Sequence, residues 1–441
     1  MGIAAGSAIA LAFRFLGMFL WGIVGILTAR TLEVEERGVY ASAVVVTSVI
    51  GGISSFGAAM GYFVANQKRD PGEVTANAML MAAPVALLVG IAALIAGSAI
   101  GGDTGRVVLV SGLLLVPTIL RNALSGVLLA QNQLTRFNIA GNLPVLLGFA
   151  CLAVWVWLFD NRTASAALTA WTAAQYLALL PLFWWAPPWR RWLASHRPDG
   201  AILRAILRFT FVTGLGGIVG FLNYRIDLVL VVSLDSREGA GIYSSAIAVA
   251  EALWLFSSAI AMGSFSRIAA VDRAEAARLT ATGVRHTLLA VVLGGIATAL
   301  LAPTAVEFLF GHDYRDAAVP LRILCLGTAL FAPQGLFSNY FVNQLGRPSI
   351  QLLLAAFALC VTVAAGFILI PPFGTAGAAW ATTISYGATG LISAALFLWL
   401  SESRLTDLWR IRRSDIVSYL HLVREIASGR FFAGLRNGPQ A

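Results

Sequence analysis

Five charged side chains lie well inside long apolar stretches of this 441-residue sequence: Arg14, Arg121, Arg225, Asp227 and Glu251. A charge at the centre of a membrane-spanning helix costs about 2.5 to 3.5 kcal/mol on insertion scales, so such residues usually face a protein interior or a water-filled cavity. Three cations against two acids leave one positive charge uncompensated. Because a planar guanidinium group suits phosphate or carboxylate oxygens, the pattern predicts an anion site within the membrane.

Uncharged polar side chains next to these charges extend the candidate lining, and they suit the hydroxyl groups of a sugar. The candidate substrate-binding residues are Arg14, Arg121, Asn122, Asn223, Tyr224, Arg225, Gln334 and Asn339. The alternative for the polar residues is ordinary hydrogen bonding between helices. For the charges the alternative is internal salt bridges that hold helices together, and either Arg225 or Asp227 would meet Glu251 on the next helix or a charge on the other half. On one continuous helix Arg225 and Asp227 would point about 200° apart, so they would not both face one narrow seam.

The composition indicates that these residues belong to a membrane protein. Of all residues 59% are hydrophobic and 12% are charged, and the mean hydropathy is +0.82. Apolar runs of about 20 residues, each long enough to cross a hydrocarbon core about 30 Å thick, recur along the chain. We predict an all-α polytopic protein. Its twelve spans lie at 3–29, 38–66, 76–99, 106–131, 138–159, 164–186, 206–234, 240–265, 284–310, 317–342, 349–370 and 375–399.

The distribution of basic residues predicts the orientation. One set of loops, with the C-terminal tail, carries 20 arginine and lysine residues, and the opposite set carries seven. By the positive-inside rule, both termini face the cytoplasm. The sequence contains 29 arginines and one lysine, Lys68. Because this usage is typical of a GC-rich bacterial genome, we expect a bacterial inner-membrane protein. A net charge of +9 is explained by contact with anionic membrane lipids and needs no nucleic acid.

The sequence also contains an internal repeat. NQLTRFNI at 132–139 returns as NQLGRPSI at 343–350, and RGVYASAVVV at 37–46 returns as AGIYSSAIAV at 240–249. Six spans per repeat predict two lobes in the same orientation, related by a pseudo-two-fold axis along the membrane normal. The predicted units are a six-helix lobe with a cytoplasmic linker at 1–195, a second six-helix lobe at 196–400, and a basic cytoplasmic tail at 401–441 in which an amphipathic helix is one alternative.

The sequence carries no pattern typical of an enzyme. With Lys68 as its one lysine it holds no phosphate-binding loop of the GxxxxGK[ST] type, and it contains no HExxH motif. The three cysteines fall within apolar runs without a metal-binding spacing. Loops on the outer side are too short for an extracellular catalytic domain. We therefore expect a protein without catalytic residues, metal or cofactor.

Four stretches resemble one known family: LTARTLEVEERGVYASAVVV, RIDLVLVVSLDSREGAGIYSSAIAVAE, EFLFGHDYRDAAVPLRILCLG and FGTAGAAWATTISY. They are similar to the polysaccharide biosynthesis or O-antigen flippases of the multidrug/oligosaccharidyl-lipid/polysaccharide (MOP) exporter superfamily. The resemblance implies a MATE-like fold and alternating access. It also implies transfer of a polyprenyl-(pyro)phosphate-linked oligosaccharide from the cytoplasmic to the outer leaflet. Members have cationic central cavities, for which Arg14, Arg121 and Arg225 are the candidates by position.

The resemblance implies several further expectations. Asp227 and Glu251 are candidates for coupling transport to a proton or sodium gradient. The expected partners are the lipid-linked glycan and membrane lipids, with a glycan polymerase and glycosyltransferases as possible associates. Two alternative functions remain at this point: a drug or cation antiporter of the same superfamily, whose cavity would be net acidic, and a scaffold for glycan enzymes that transports nothing.

Overall fold

The computed structural model describes residues 3–33, 56–159, 162–186, 189–196 and 198–410, together with isolated positions between 36 and 51. Within these ranges the chain forms helices and turns and no strand, which confirms the all-α prediction. The basic tail beyond residue 410, including its predicted amphipathic helix, lies outside the described residues.

The first half of the chain contains eight described α-helices. They are α1 Ile3–Thr31, α2 Phe56–Met60, α3 Pro71–Ile100, α4 Gly102–Ala130, α5 Leu134–Phe159, α6 Ala164–Leu177, α7 Leu180–Trp185 and α8 Trp189–Ser195. A π-helical turn, Gly61–Asn66, continues α2. Polar residues between the apolar runs cap the helices. Asp70, for example, accepts a hydrogen bond from the Glu73 backbone N–H at 2.8 Å and so begins α3 just before Pro71.

The second half contains ten described α-helices. They are α9 Gly200–Asn223, α10 Ile226–Leu234, α11 Arg237–Ala252, α12 Trp254–Ala270, α13 Arg273–Leu300, α14 Ala302–Phe310, α15 Ala318–Phe331, α16 Gln334–Ser338, α17 Pro348–Ser401 and α18 Thr406–Trp409. A 3₁₀ helix, His312–Ala317, precedes α15, and a second π-helical turn, Asn339–Gln344, follows α16.

Ten segments of the described chain are long and apolar enough to cross a membrane, which makes this a multi-pass membrane protein. One of them, the 54-residue α17, is two helices joined at Gly374, whose φ of 53° no helix allows. The Ser385 hydroxyl donates to the Ala358 carbonyl at 2.8 Å, so the two parts lie side by side as an antiparallel pair. Ten residues of the predicted span 38–66, among them 52–55, lie outside the described residues. The prediction of twelve spans is therefore supported approximately.

Five predicted spans are interrupted rather than continuous, and those at 164–186 and 284–310 break at Ala178 and Leu179 and at Leu301, respectively. The other three each break at a turn of one or two residues. The span predicted at 206–234 breaks at Tyr224 and Arg225, between α9 and α10. The span at 240–265 breaks at Leu253, between α11 and α12. The span at 317–342 breaks at Ala332 and Pro333, where proline removes a backbone donor. The assumption of one straight helix through Arg225 was thus wrong, because hydropathy reports burial in lipid and not helix continuity.

Four clusters of buried apolar side chains form the core. One lies within residues 24–171, and two lie entirely beyond residue 226. The fourth joins residues 56–186 to the first turns of α9, through Ile202, Ile206 and Phe209, and to Val342. The start of α9 therefore packs on the first half of the chain. The predicted boundary at residue 195 stays a prediction.

Candidate functional site

A central cavity of about 450 Å³ lies between the two halves of the chain. Arg14 of α1 and Leu129 of α4 line it from the first half, and residues of α12, α15 and α16 line it from the second. No acidic residue belongs to this lining as far as the chain is described. The buried Nε atom of Arg14 has no hydrogen-bond partner, and none of the described acids pairs with its guanidinium group. The central cavity therefore carries an unpaired positive charge.

Three more of the predicted residues line the central cavity: Tyr224, Gln334 and Asn339. The Asn339 side chain donates to the Ala261 carbonyl at 2.8 Å, so part of its role is to hold two helices together. Gln334 donates to Gln351 Oε1 at 3.4 Å, while its own buried Oε1 has no partner. An unsatisfied buried acceptor facing a cavity is a position where a ligand hydroxyl would be favourable.

Asn223 lies in a side cavity of about 30 Å³ that shares Tyr224 and Gln334 with the central one. Its Oδ1 accepts a hydrogen bond from Thr362 Oγ1 at 2.8 Å, and its side chain is 2% exposed. Because this contact joins α9 to α17, the simpler alternative of helix-to-helix hydrogen bonding describes Asn223 well.

An acidic pocket of about 20 Å³, defined by Asp227 and Glu251, lies on the other side of Tyr224. Asp227 is buried and accepts hydrogen bonds from Tyr243 Oη at 2.9 Å, Thr382 Oγ1 at 3.0 Å and the Leu228 backbone N–H at 2.8 Å. A volume of this size accommodates about one water molecule or a bare cation.

Arg225 pairs with Glu251 across the helix break, with Nη1 and Oε1 3.2 Å apart. Its side chain is 47% exposed and does not belong to the lining of the central cavity. The salt-bridge alternative therefore applies to Arg225 and Glu251, whereas Asp227 takes hydroxyl and amide partners instead.

Four aromatic rings separate the central cavity from the acidic pocket. Tyr224 and Trp254 line both spaces, with ring centroids 4.9 Å apart. Phe331 stacks on Tyr386 at 4.6 Å and also contacts Tyr224. Tyr224, Trp254 and Phe331 each lie at a helix break, namely the breaks at Tyr224 and Arg225, at Leu253, and at Ala332 and Pro333. The breaks thus place aromatic side chains at a common point between two cavities.

Arg121 and Asn122 lie in a different place, a first-half cavity of about 320 Å³ that is lined by α1, α4, α5 and α6 together with Val44, Thr47 and Gly51. Arg121 donates to Gln175 Oε1 at 3.1 Å, and Asn122 donates to the Gly51 carbonyl at 3.0 Å. The expectation that Arg14, Arg121 and Arg225 face one chamber is therefore wrong. The sequence shows their depth in the membrane, but the tertiary packing directs them into three separate environments.

One end of the central cavity is closed, and we call it the Lys68 end. Lys68 Nζ donates to the Ala270 carbonyl at 2.7 Å, at the last residue of α12. Asn66 Nδ2 donates to the Ala269 carbonyl at 3.0 Å and to Gln344 Oε1 at 3.1 Å. The two π-helical turns, one from each half, therefore meet and close the cavity at this end.

Sequence comparison identifies the family. The family described as "Polysaccharide biosynthesis protein" matches residues 27–319, which is most of the chain. The protein belongs to this family. Comparison with curated protein sequences gives no match.

Solved structures show that this polysaccharide biosynthesis protein has the fold of MATE transporters. A MATE protein in complex with MaL6 superimposes with a TM-score of 0.77 at 15% identity, over 91% of this chain and 96% of the other. An outward-facing multidrug resistance MATE transporter of the MOP superfamily gives 0.75 at 16%, covering 91% and 95%. A MOP superfamily transporter from Pyrococcus furiosus, described as having a binding pocket of reversed polarity, gives 0.75 at 15%, also covering 91% and 95%. The predicted resemblance is confirmed.

Sequence reasoning missed several residues that line these spaces. Ser257, Ser258 and Gln351 belong to the central cavity, and Thr382 belongs to the acidic pocket. Tyr243 was noticed as a repeated residue but not as a partner of Asp227. Serine and threonine are common in membrane helices, where they hydrogen-bond to their own backbone, so their types give no signal of a cavity.

Proposed function

We propose that this polysaccharide biosynthesis protein moves a polyprenyl-(pyro)phosphate-linked oligosaccharide across a membrane by alternating access. The observation that carries the proposal is the central cavity, which both halves of the chain line and in which Arg14 is the charged residue. An unpaired guanidinium group in this position favours a (pyro)phosphate, because its rigid donors bind phosphate oxygens two at a time.

The rest of the central cavity suits a sugar chain. Gln334, Ser258 and Gln351 offer amide and hydroxyl groups, and Tyr224 and Trp254 offer aromatic faces. Sites for uncharged ligands typically combine apolar and aromatic walls with a few polar groups that fix the orientation. The polyprenyl tail would remain in the lipid, since its transfer into a polar cavity is unfavourable.

Closure at the Lys68 end supports alternating access. Lys68 and its arginine-rich neighbourhood belong to the loops that the positive-inside rule assigns to the cytoplasm. In this assignment, both termini are cytoplasmic and the structure has its cytoplasmic entrance closed. Separation of the two π-helical turns would admit the substrate, and their return would prevent it from leaving on the same side.

The acidic pocket supports coupling to an ion gradient. Asp227 is a buried carboxylate whose described partners are neutral donors, with Thr382 and Tyr243 oxygens beside it. A proton or a sodium ion would compensate this charge at a small oxygen-lined site. Glu251 is already compensated by Arg225, so we assign the coupling role to Asp227.

Binding of polyprenyl pyrophosphate to the purified protein in nanodiscs of uncharged lipid tests the assignment of Arg14. Arg14→Gln retains hydrogen-bond donors but removes the charge. Because a charge-assisted hydrogen bond contributes about 1.5 to 3 kcal/mol, the dissociation constant should rise about tenfold or more. Arg30→Gln is the matched control, since Arg30 is an exposed arginine on the same helix. Equal affinity in both variants would reject Arg14 as the anion site.

Reconstitution distinguishes the proposed transport from its alternatives. Proteoliposomes with this protein alone should expose a fluorescent polyprenyl-pyrophosphate-linked disaccharide to a membrane-impermeant quencher on the far side, and Arg14→Gln should slow this exposure. Movement of ethidium without movement of the glycan lipid would support a cation antiporter. Transport of neither compound would support a scaffold.

A further inference from the structure

The first-half cavity, lined by Arg121, has the composition of a sugar-binding site of its own. Its volume of about 320 Å³ lies at the lower end of the range of about 300–1,000 Å³ that is usual for small-ligand sites. Its walls belong to helices of the first half alone, whereas both halves line the central cavity. A ligand group could therefore occupy it without direct contact with the second half.

Arg121 provides an uncompensated positive charge at this cavity. Its guanidinium group has five N–H donors, of which one is bonded to Gln175 at 3.1 Å. None of the acids in the described part of the chain lies in the lining or pairs with Arg121. Gln175 is itself 7% exposed and holds the guanidinium group in place. An oxyanion in the cavity would satisfy the remaining donors.

Two tryptophans provide flat apolar surfaces at the same cavity. The rings of Trp21 and Trp171 have centroids 5.0 Å apart and are tilted by 45°. Trp21 is 44% exposed, whereas Trp171 is 3% exposed. The face of a pyranose ring carries C–H groups that pack on such aromatic surfaces. Thr47 and Thr118, which also line the cavity, offer hydroxyl groups for the ring substituents.

The first-half cavity and the central cavity follow one another along the same two helices. On α1, Arg14 lines the central cavity and Trp21 the other, seven residues further on. On α4, Leu129 lines the central cavity and Arg121 the other, eight residues earlier. At 1.5 Å per residue, both helices give an axial separation of roughly 10–12 Å. A ligand with two anionic groups at this spacing could contact both arginines.

We infer that the first-half cavity binds one acidic sugar unit, a pyranose with a carboxylate, whose oxygens pair with Arg121 and whose ring packs on Trp21 and Trp171. The inference rests on the proposed function in that the sugar would belong to the transported glycan. It specifies the substrate class: a lipid-linked glycan with a uronic acid near its pyrophosphate, bound by Arg14 at the pyrophosphate and by Arg121 at the carboxylate.

Saturation-transfer NMR titrations of the full-length protein in nanodiscs test this assignment with methyl glucuronide and methyl glucoside, which differ in one carboxylate. Methyl glucuronide should bind at least about tenfold more tightly than methyl glucoside. Arg121→Gln should remove this preference, and Arg121→Lys should retain much of it. Arg30→Gln should leave it unchanged, because Arg30 is an exposed arginine of α1 that lines neither cavity. Thermal unfolding of each variant verifies that it is folded.

Three results would overturn the inference: equal affinity for the two glycosides in the unaltered protein, a preference that survives in Arg121→Gln, or binding of inorganic phosphate with no binding of methyl glucuronide. Failure of the proposed function has a different signature, because it is measured with polyprenyl pyrophosphate and Arg14→Gln. A glucuronide site that depends on Arg121 in a protein that does not move glycan lipids would preserve the sugar site and reject transport.

Discussion

Asp227 illustrates how one residue can differ between two repeats of the same chain. Tyr40 and Tyr243 occupy matching repeat positions, and both are buried. Only in the second half does the tyrosine meet an acid: Tyr243 donates to Asp227 of α10, whereas α1, the counterpart of α10, contains no acidic residue. A buried carboxylate is costly and persists when donors surround it. The second half therefore carries a buried acid on α10, whereas α1 of the first half carries none.

If Asp227 couples transport to an ion gradient, Asp227→Asn should uncouple it. The amide retains an oxygen acceptor for Tyr243 and Thr382 but has no charge for a proton or a sodium ion to compensate. We expect transport in proteoliposomes to stop responding to imposed proton and sodium gradients, with the affinity for polyprenyl pyrophosphate changed by less than about twofold.

The matched control for Asp227→Asn is Asp103→Asn, since Asp103 is an exposed acid in the first turn of α4. Its replacement should leave the response to both gradients intact. A normal gradient response in Asp227→Asn would exclude this residue as the coupling site.

At the scale of elements, the interruptions of the helices, rather than their regular parts, place the residues that surround the cavities. Three breaks of the second half, at Arg225, Leu253 and Pro333, bring together the aromatic rings between the central cavity and the acidic pocket. The two π-helical turns form the contact at the Lys68 end, and such turns are frequent at functional sites. Close approach there depends on glycine. Gly346 has a φ of 65°, and a Cβ atom on it would lie 2.4 Å from the Tyr62 ring.

Gly346→Ala should therefore weaken the contact between the two halves. Alanine adds both the cost of a positive φ, roughly 1 to 2 kcal/mol, and a clash with Tyr62. Gly102→Ala is the control, because Gly102 has a φ of 58° but nothing within 4 Å of the added Cβ. In thermal unfolding of the detergent-solubilised protein, Gly346→Ala should lower the melting temperature more than Gly102→Ala does. Equal decreases would mean that the Tyr62 contact contributes nothing to stability.

The whole molecule consists of two halves that meet around one cavity and close it at the Lys68 end. The bonds across this end include the amide pair Asn66 and Gln344 and the Lys68 contact. Polar contacts of this kind can exchange for water when the halves separate, as alternating access requires.

A disulfide across the Lys68 end should therefore stop transport. Asn66→Cys with Gln344→Cys, in a chain whose three cysteines have been replaced, joins side chains that lie 3.1 Å apart. Oxidation should block transport in proteoliposomes, and reduction should restore it. The control pair, Ala358→Cys with Ser385→Cys, lies within α17 and should permit transport when oxidised. Full transport with the Asn66–Gln344 pair oxidised would contradict alternating access at this end.

The sequence by itself determined the membrane class, the all-α fold, the approximate number of spans and the family. These properties follow from the length and apolar character of local segments, which the solvent constrains directly. Four predicted site residues, Arg14, Tyr224, Gln334 and Asn339, do share one cavity.

Only the tertiary structure decided which charges face which space. Arg14 lines the central cavity together with Gln334 and Asn339, although 320 or more residues of sequence separate it from them. Arg121 is closer to Arg14 in the sequence, by little more than 100 residues, yet it faces the first-half cavity. Helix breaks at Arg225 and Pro333 rotate side chains away from the direction that a continuous helix would give them. The periodicity of a sequence fixes faces within one uninterrupted helix, whereas cavities form where several interrupted helices meet, and that depends on packing across the whole chain.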